Sequence, residues 1–225
     1  MTDAAMPGLA PAPNRSKSID ALMALLADRP IEQIGLGDIA RQAGLSLAEL
    51  RTEFGSVMSI LAAHVKDIDR KVLAGDTADM TDEPVREKLF DVLMRRLEAL
   101  TPHKAAIRSL MRSSLRNPGL AIVMNGFATR STSWMMTAAG ISTAGPKGMV
   151  RAQALTLLYA RVLATWVDDE DPGLARTMSV LDRELSRGQR WSGFLDNLFA
   201  VPERLCGGGW RARRRREPDD EIIAA

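Results

Sequence analysis

Apolar residues recur along this chain at intervals of three and four, and no stretch of useful length alternates apolar with polar. The first spacing marks a helix with one buried face and the second would mark a strand, so the pattern predicts an all-α protein. Ile19, Leu22, Met23, Leu25 and Leu26 mark a first helix that begins near Ser16 or Ser18 and stops at Pro30. A short helix follows over about 36–42, then a turn at Gly44. Ser46 with Glu49 three residues on is a capping box, and it opens a third helix that runs to Phe54. Ser56 caps a fourth helix over 57–73, with Val57, Ile60, Leu61, Val65, Ile68 and Val72 on its face. Longer amphipathic helices are predicted near 84–100, 103–116, 119–138, 147–168 and 173–198, separated by breaks such as "GDTADMTDEP", "NPG" and "DDEDPG".

These elements divide the chain. Residues 1–15, rich in Ala and Pro, read as a disordered arm. Residues 16–55 form a three-helix module, 56–200 a larger helical domain, and 201–225 a disordered, low-complexity tail. The basic run "RARRRR" in that tail is followed at once by "EPDDE", which offsets it.

The second and third helices have the spacing of a helix-turn-helix. Ala40 stands where the helices cross and Gly44 in the turn, while Ile39, Ala43, Leu45, Leu50 and Phe54 form a shared apolar set. Composition changes this picture little. The chain has 225 residues, 46% hydrophobic and 26% charged, with a formal net charge of +2. That is an ordinary globular balance and not a strongly basic one. Residues 1–75 hold eight Lys/Arg against nine Asp/Glu, a net charge of −1. Any attraction to phosphate there depends on where its few cations point. The single cysteine, Cys206, suits a reducing cytoplasm, and neither an export signal nor a membrane-length apolar run is visible.

Candidate chemistry is sparse. "GLGDIA" over 35–40 matches a dinucleotide-binding pattern but lacks the strand that should precede it. His64 reads as a half-buried packing residue, far in sequence from His103, the other histidine. "DDED" over 168–171 reads as a helix cap before it reads as a cation site. No nucleophile, acid–base pair, metal set or cofactor motif stands out, which argues against an enzyme.

The stretch "GLGDIARQAGLSLAELRTEFGS" resembles the N-terminal module of TetR-family transcriptional regulators, and the helical layout of the whole chain is similar to theirs. The resemblance implies a cytoplasmic homodimer that binds double-stranded operator DNA and is released by a small apolar ligand, acting as a repressor. It implies DNA contacts by Ser46, Leu47, Ala48, Arg51 and Thr52, supported by Arg41, Arg15 and Lys17. It implies a ligand pocket among Phe90, Leu93, Met94, Leu97, Ile107, Met111, Met124, Phe127, Trp134, Tyr159, Leu163 and Trp166. It implies a dimer face on the last helices carrying Leu174, Met178, Leu181, Leu185 and Phe194. The sequence departs from the family where a lysine usually stands, at Leu47, and where a tyrosine usually stands, at Arg51. Residues 157–191 are also similar to lipid-binding accessory proteins of ubiquinone biosynthesis, built on the same fold. A lipid-binding protein without DNA binding is therefore the alternative, and a purely structural helical protein is a third.

Overall fold

The computed structural model describes residues 13–75 and 83–188. The expected arm is described only from residue 13, and the expected tail, Phe194 and the rest of 189–200 lie outside the described residues. Within them the elements are helical: α1 (Pro13–Asp28), α2 (Leu36–Ala43), α3 (Leu47–Glu53), α4 (Val57–Leu73), α5 (Val85–Leu100), α6 (Lys104–Arg116), α7 (Pro118–Ala138) and α8 (Gly145–Trp166). A further helix, α9, runs over 175–188. Single 3-10 turns at Ile31–Gln33 and Thr101–His103 join α1 to α2 and α5 to α6. No helix among the described residues is long and apolar enough to cross a membrane.

The first helix starts earlier than its apolar pattern suggests. Pro13 occupies the first helical position, where a missing N–H costs nothing and the fixed φ suits a helix. Residues 13–15 therefore belong to α1 and not to an arm. Arg15 is held by Asp67 of α4 at 2.6 Å.

Two apolar clusters organise the molecule. One joins Ile19, Leu22 and Leu26 of α1 with Ile39, Leu50 and Phe54 of the helix-turn-helix, then takes in Ile60 and Leu61 of α4, Ala106 and Leu110 of α6, and Leu120 of α7. The other lies in the larger bundle, where Leu93, Leu97, Met135, Val162, Trp166 and Leu181 are sealed from solvent. Helix α4 contributes to both, with Ile60 and Leu61 in the first and Ile68 and Val72 in the second.

A buried polar group pins α4 to the bundle. Asp69 receives a 2.5 Å hydrogen bond from Ser131, and its carboxylate lies 3.5 Å from the Arg96 guanidinium. All three side chains are buried. At the other end of the bundle, "DDED" acts as a cap. Asp169 accepts the Thr177 backbone N–H at 2.9 Å and its hydroxyl at 2.6 Å, while Asp171 accepts the N–H groups of Gly173 and Ala175.

Candidate nucleic-acid interface and ligand cleft

The helix-turn-helix is built by local chemistry. Gly44 ends α2 with φ 66°, a left-handed conformation that glycine adopts without a Cβ penalty. Its N–H bonds back to the last turn of α2, and the chain leaves at the angle α3 requires. The Ser46 hydroxyl then accepts the Glu49 N–H at 3.2 Å, and the Glu49 carboxylate accepts the Ser46 N–H at 2.8 Å. Leu50 and Phe54 turn inward and are buried. The outward face of α3 is left to Leu47, Ala48, Glu49, Arg51 and Thr52, all exposed.

The carboxylates at this module have local partners. Backbone and hydroxyl hydrogen bonds from Ser46, helped by the charge of Lys17, hold the Glu49 carboxyl below its usual range. That carboxylate is thus held ionised and engaged in the cap. Asp38 behaves in the same way on α2. It accepts the Gly35 N–H at 3.0 Å, the main cause that holds its carboxyl below the usual range, and it pairs with Arg29 at 3.5 Å and Arg41 at 3.2 Å. Arg51 carries the cationic charge of the exposed α3 face. Arg41, 80% exposed in its side chain, and Lys17 flank the module. Arg15 does not join this set. Its guanidinium is bound to Asp67 and reaches the Ala63 carbonyl on α4.

A cleft of about 480 Å³ opens between α4, α5, α6, α7 and α8. Of the residues expected to line a pocket, Ile107, Met111, Met124, Phe127, Tyr159 and Leu163 do so. The others lie elsewhere. Leu93, Leu97 and Trp166 are fully buried in the bundle core, and Phe90 and Met94 pack against that core. Trp134 is 55% exposed on α7. Helical periodicity shows that these residues face inward or outward. It does not distinguish a packed layer from a gap between layers.

The polar part of the cleft wall escaped the sequence reading. His64, Arg96, Thr132 and Thr156 all line it. The available signal was a histidine between Leu61 and Ile68 on the apolar face of α4. His64 is not half-buried but only 4% exposed, and its Nε2 has no hydrogen-bond partner. His103, distant in sequence, meets it edge-on with ring centroids 4.8 Å apart. Burial, chiefly, with help from His103 and Arg96 and against the pull of Asp67, drops the His64 pKa to about 4. The imidazole is neutral at ordinary pH.

The residues expected at a dimer face divide. Leu181 and Leu185 are buried inside the bundle, and Leu174 packs against its core with a φ of 52°. The stripe on α9 has to close the monomer first, which uses its most apolar positions. Met178 stays 40% exposed, as do Met149, Val150 and Leu157 on α8 at 71, 42 and 56%. Val150 and Leu157, seven residues apart, share one helical face.

No protein-family model and no curated protein matches the chain. Solved structures do. A TetR transcriptional regulator from Nitrosomonas europaea superposes with a TM-score of 0.62 at 24% identity, covering 79% of this chain and 99% of that one. One from Rhodococcus sp. gives 0.54 at 18% identity, covering 78% of this chain and 95% of that one. One from Streptomyces coelicolor gives 0.53 at 14% identity, covering 92% and 94%. These matches span most of the chain, which therefore has the fold of the TetR family of transcriptional regulators.

Proposed function

We propose that the protein is a transcriptional regulator, not an enzyme. It acts as a cytoplasmic homodimer that binds operator DNA through α3 and is released by a small apolar molecule. The observation that carries this reading is the outward face of α3. Leu47, Ala48, Arg51 and Thr52 are exposed, while the acid beside them is engaged in the helix cap. Arg51 is the phosphate or base-edge contact, and Arg41 and Lys17 are flanking cations. Arg15, bound to Asp67, is left out of this set. Met149, Val150, Leu157 and Met178 supply the dimer face. Pairing two reading heads doubles the contact with two half-sites.

Release follows from α4. It carries the last residues of the helix-turn-helix core, Ile60 and Leu61, and it lines the cleft with Leu61, His64 and Val65. A molecule that fits the cleft better in one arrangement of α4 shifts the spacing of the heads. Without that difference in affinity there is no switch.

The test is binding to DNA from immediately upstream of the protein's own gene, followed as salt is raised, beside an Arg51→Ala variant. Sequence-preferring binding that weakens steeply with salt and is lost in the variant supports the reading. Binding that stays non-specific at low salt refutes it and leaves the lipid-binding alternative.

A further inference from the structure

The cleft is apolar along most of its length. Ile107, Leu110 and Met111 of α6 face Met124 and Phe127 of α7, and Leu163 of α8 closes the side. Leu115, 88% exposed, marks its mouth. Its polar residues are satisfied within the protein, with one exception. Thr132 and Thr156 share a 2.8 Å hydrogen bond between their hydroxyls, and Thr156 also donates to the Ala152 carbonyl at 2.8 Å. The Tyr159 hydroxyl reaches the Leu93 carbonyl at 3.4 Å. Arg96 donates from Nε to Ser131 at 3.0 Å and has Asp69 as its counter-charge. Ser114 donates to the Leu110 carbonyl, Asn125 pairs with Gln153, and Arg161 pairs with Glu184. The exception is His64, whose buried Nε2 has no partner. A buried polar atom left this way is costly unless something binds it.

We infer that the cleft takes an amphiphile with an apolar body and a neutral hydrogen-bonding head, a hydroxyl or a phenol, and that His64 Nε2 is the group that holds the head. The inference rests on the ligand reading of the cleft given above and names the chemical class of that ligand. A neutral head fits the charges on the wall. Arg96 already has Asp69, Arg161 already has Glu184, and a neutral imidazole offers no counter-charge to a carboxylate. A carboxylate buried there would be unpaired, and burying an unpaired charge is far more costly than burying a hydroxyl. An alkane would fill the apolar part and leave Nε2 as it is.

Three probes of equal chain length separate these cases: 1-octanol, n-octane and octanoate near neutral pH. Binding to the full chain is read by calorimetry and by the shift in thermal melting. The wild-type protein is expected to prefer 1-octanol to n-octane by roughly tenfold, the size of one added buried hydrogen bond, and to bind octanoate no better than n-octane. In His64→Leu the preference for the alcohol disappears while n-octane still binds. His64→Gln restores part of it, and it also controls for folding because it keeps a hydrogen-bonding side chain. Equal affinity for octanol and octane in the wild type, an alcohol preference that survives His64→Leu, or a preference for octanoate overturns the assignment to His64 and leaves the cleft as a ligand site. Failure of all three probes to bind the folded wild-type protein overturns the ligand reading together with it.

Discussion

Acidification is a direct probe of His64. The unfolded chain takes up a proton on this ring near pH 6.5, whereas the folded protein holds out until about 4. Burial is the main cause. The His103 ring against it and the Arg96 guanidinium add to the effect, and Asp67 opposes it. His103 is itself held low by burial, with Asp20 and Lys71 acting in opposite directions on it. Above pH 6.5 the His64 ring is neutral in both states and its burial does not depend on pH. As pH falls, the unfolded chain gains a proton that the folded protein refuses, so stability drops across this window and levels off below about 4. At about 1.4 kcal/mol per unit, His64 alone removes about 2 kcal/mol between about pH 7 and about pH 5, and about 3 kcal/mol by about pH 4. That is a large share of the stability of an ordinary domain. The assay is urea unfolding followed by far-UV circular dichroism, for wild type and His64→Leu, at matched pH values. The variant should lose about 2 kcal/mol less than wild type between the two upper pH values. His103 and the carboxylates titrate in both proteins, so the difference isolates His64. Parallel stability curves for the two proteins would refute the claim that this ring is buried and neutral.

Other perturbations test other parts of the account. Gly44→Ala places a Cβ at φ 66° with open space around it, so it should cost about 1 kcal/mol through the backbone alone, measured as a lower urea midpoint with an unchanged slope. Gly148→Ala is different in kind. Its Cβ would stand 2.2 Å from the Thr143 backbone, and the start of α8 must shift, so a loss of about 1–3 kcal/mol is expected in the same assay. Asp69→Asn leaves the buried Arg96 without its counter-charge and should destabilise by about 3–5 kcal/mol, more than any single surface ion-pair deletion in the same melts. Ser46→Ala removes the α3 cap and should cost about 1 kcal/mol in unfolding measurements while also weakening DNA binding.

What could be read from the sequence was the part governed by near neighbours. Gly44, the Ser46–Glu49 box and the Ser56 cap act over three or four residues, and each appears where its pattern placed it. The apolar faces of α1 and α4 are local in the same sense. The all-helical fold with its N-terminal helix-turn-helix follows from them, and solved structures share it. The cleft is not local. Leu97 and Met111 carry the same inward-facing signal, yet one is sealed in the core and the other borders a gap, and only the packing of five helices decides which. The pairing of His64 with His103 and the burial of Leu181 and Leu185 within the monomer depend on the same tertiary geometry. The roles of the acids are a related case: the count of Glu49 and Asp38 as negative charges stands, but only the structure shows them engaged with the backbone N–H groups of Ser46 and Gly35.

Helix α3 is proposed to read DNA despite its acidic residues. The most direct test is selection of bound sequences from a random pool of double-stranded DNA, using the full chain at low salt beside Arg51→Ala. The account predicts enrichment of an inverted repeat whose half-sites lie about one or two helical turns apart, with the enrichment lost in the variant. A folded wild-type protein that enriches no sequence would contradict it.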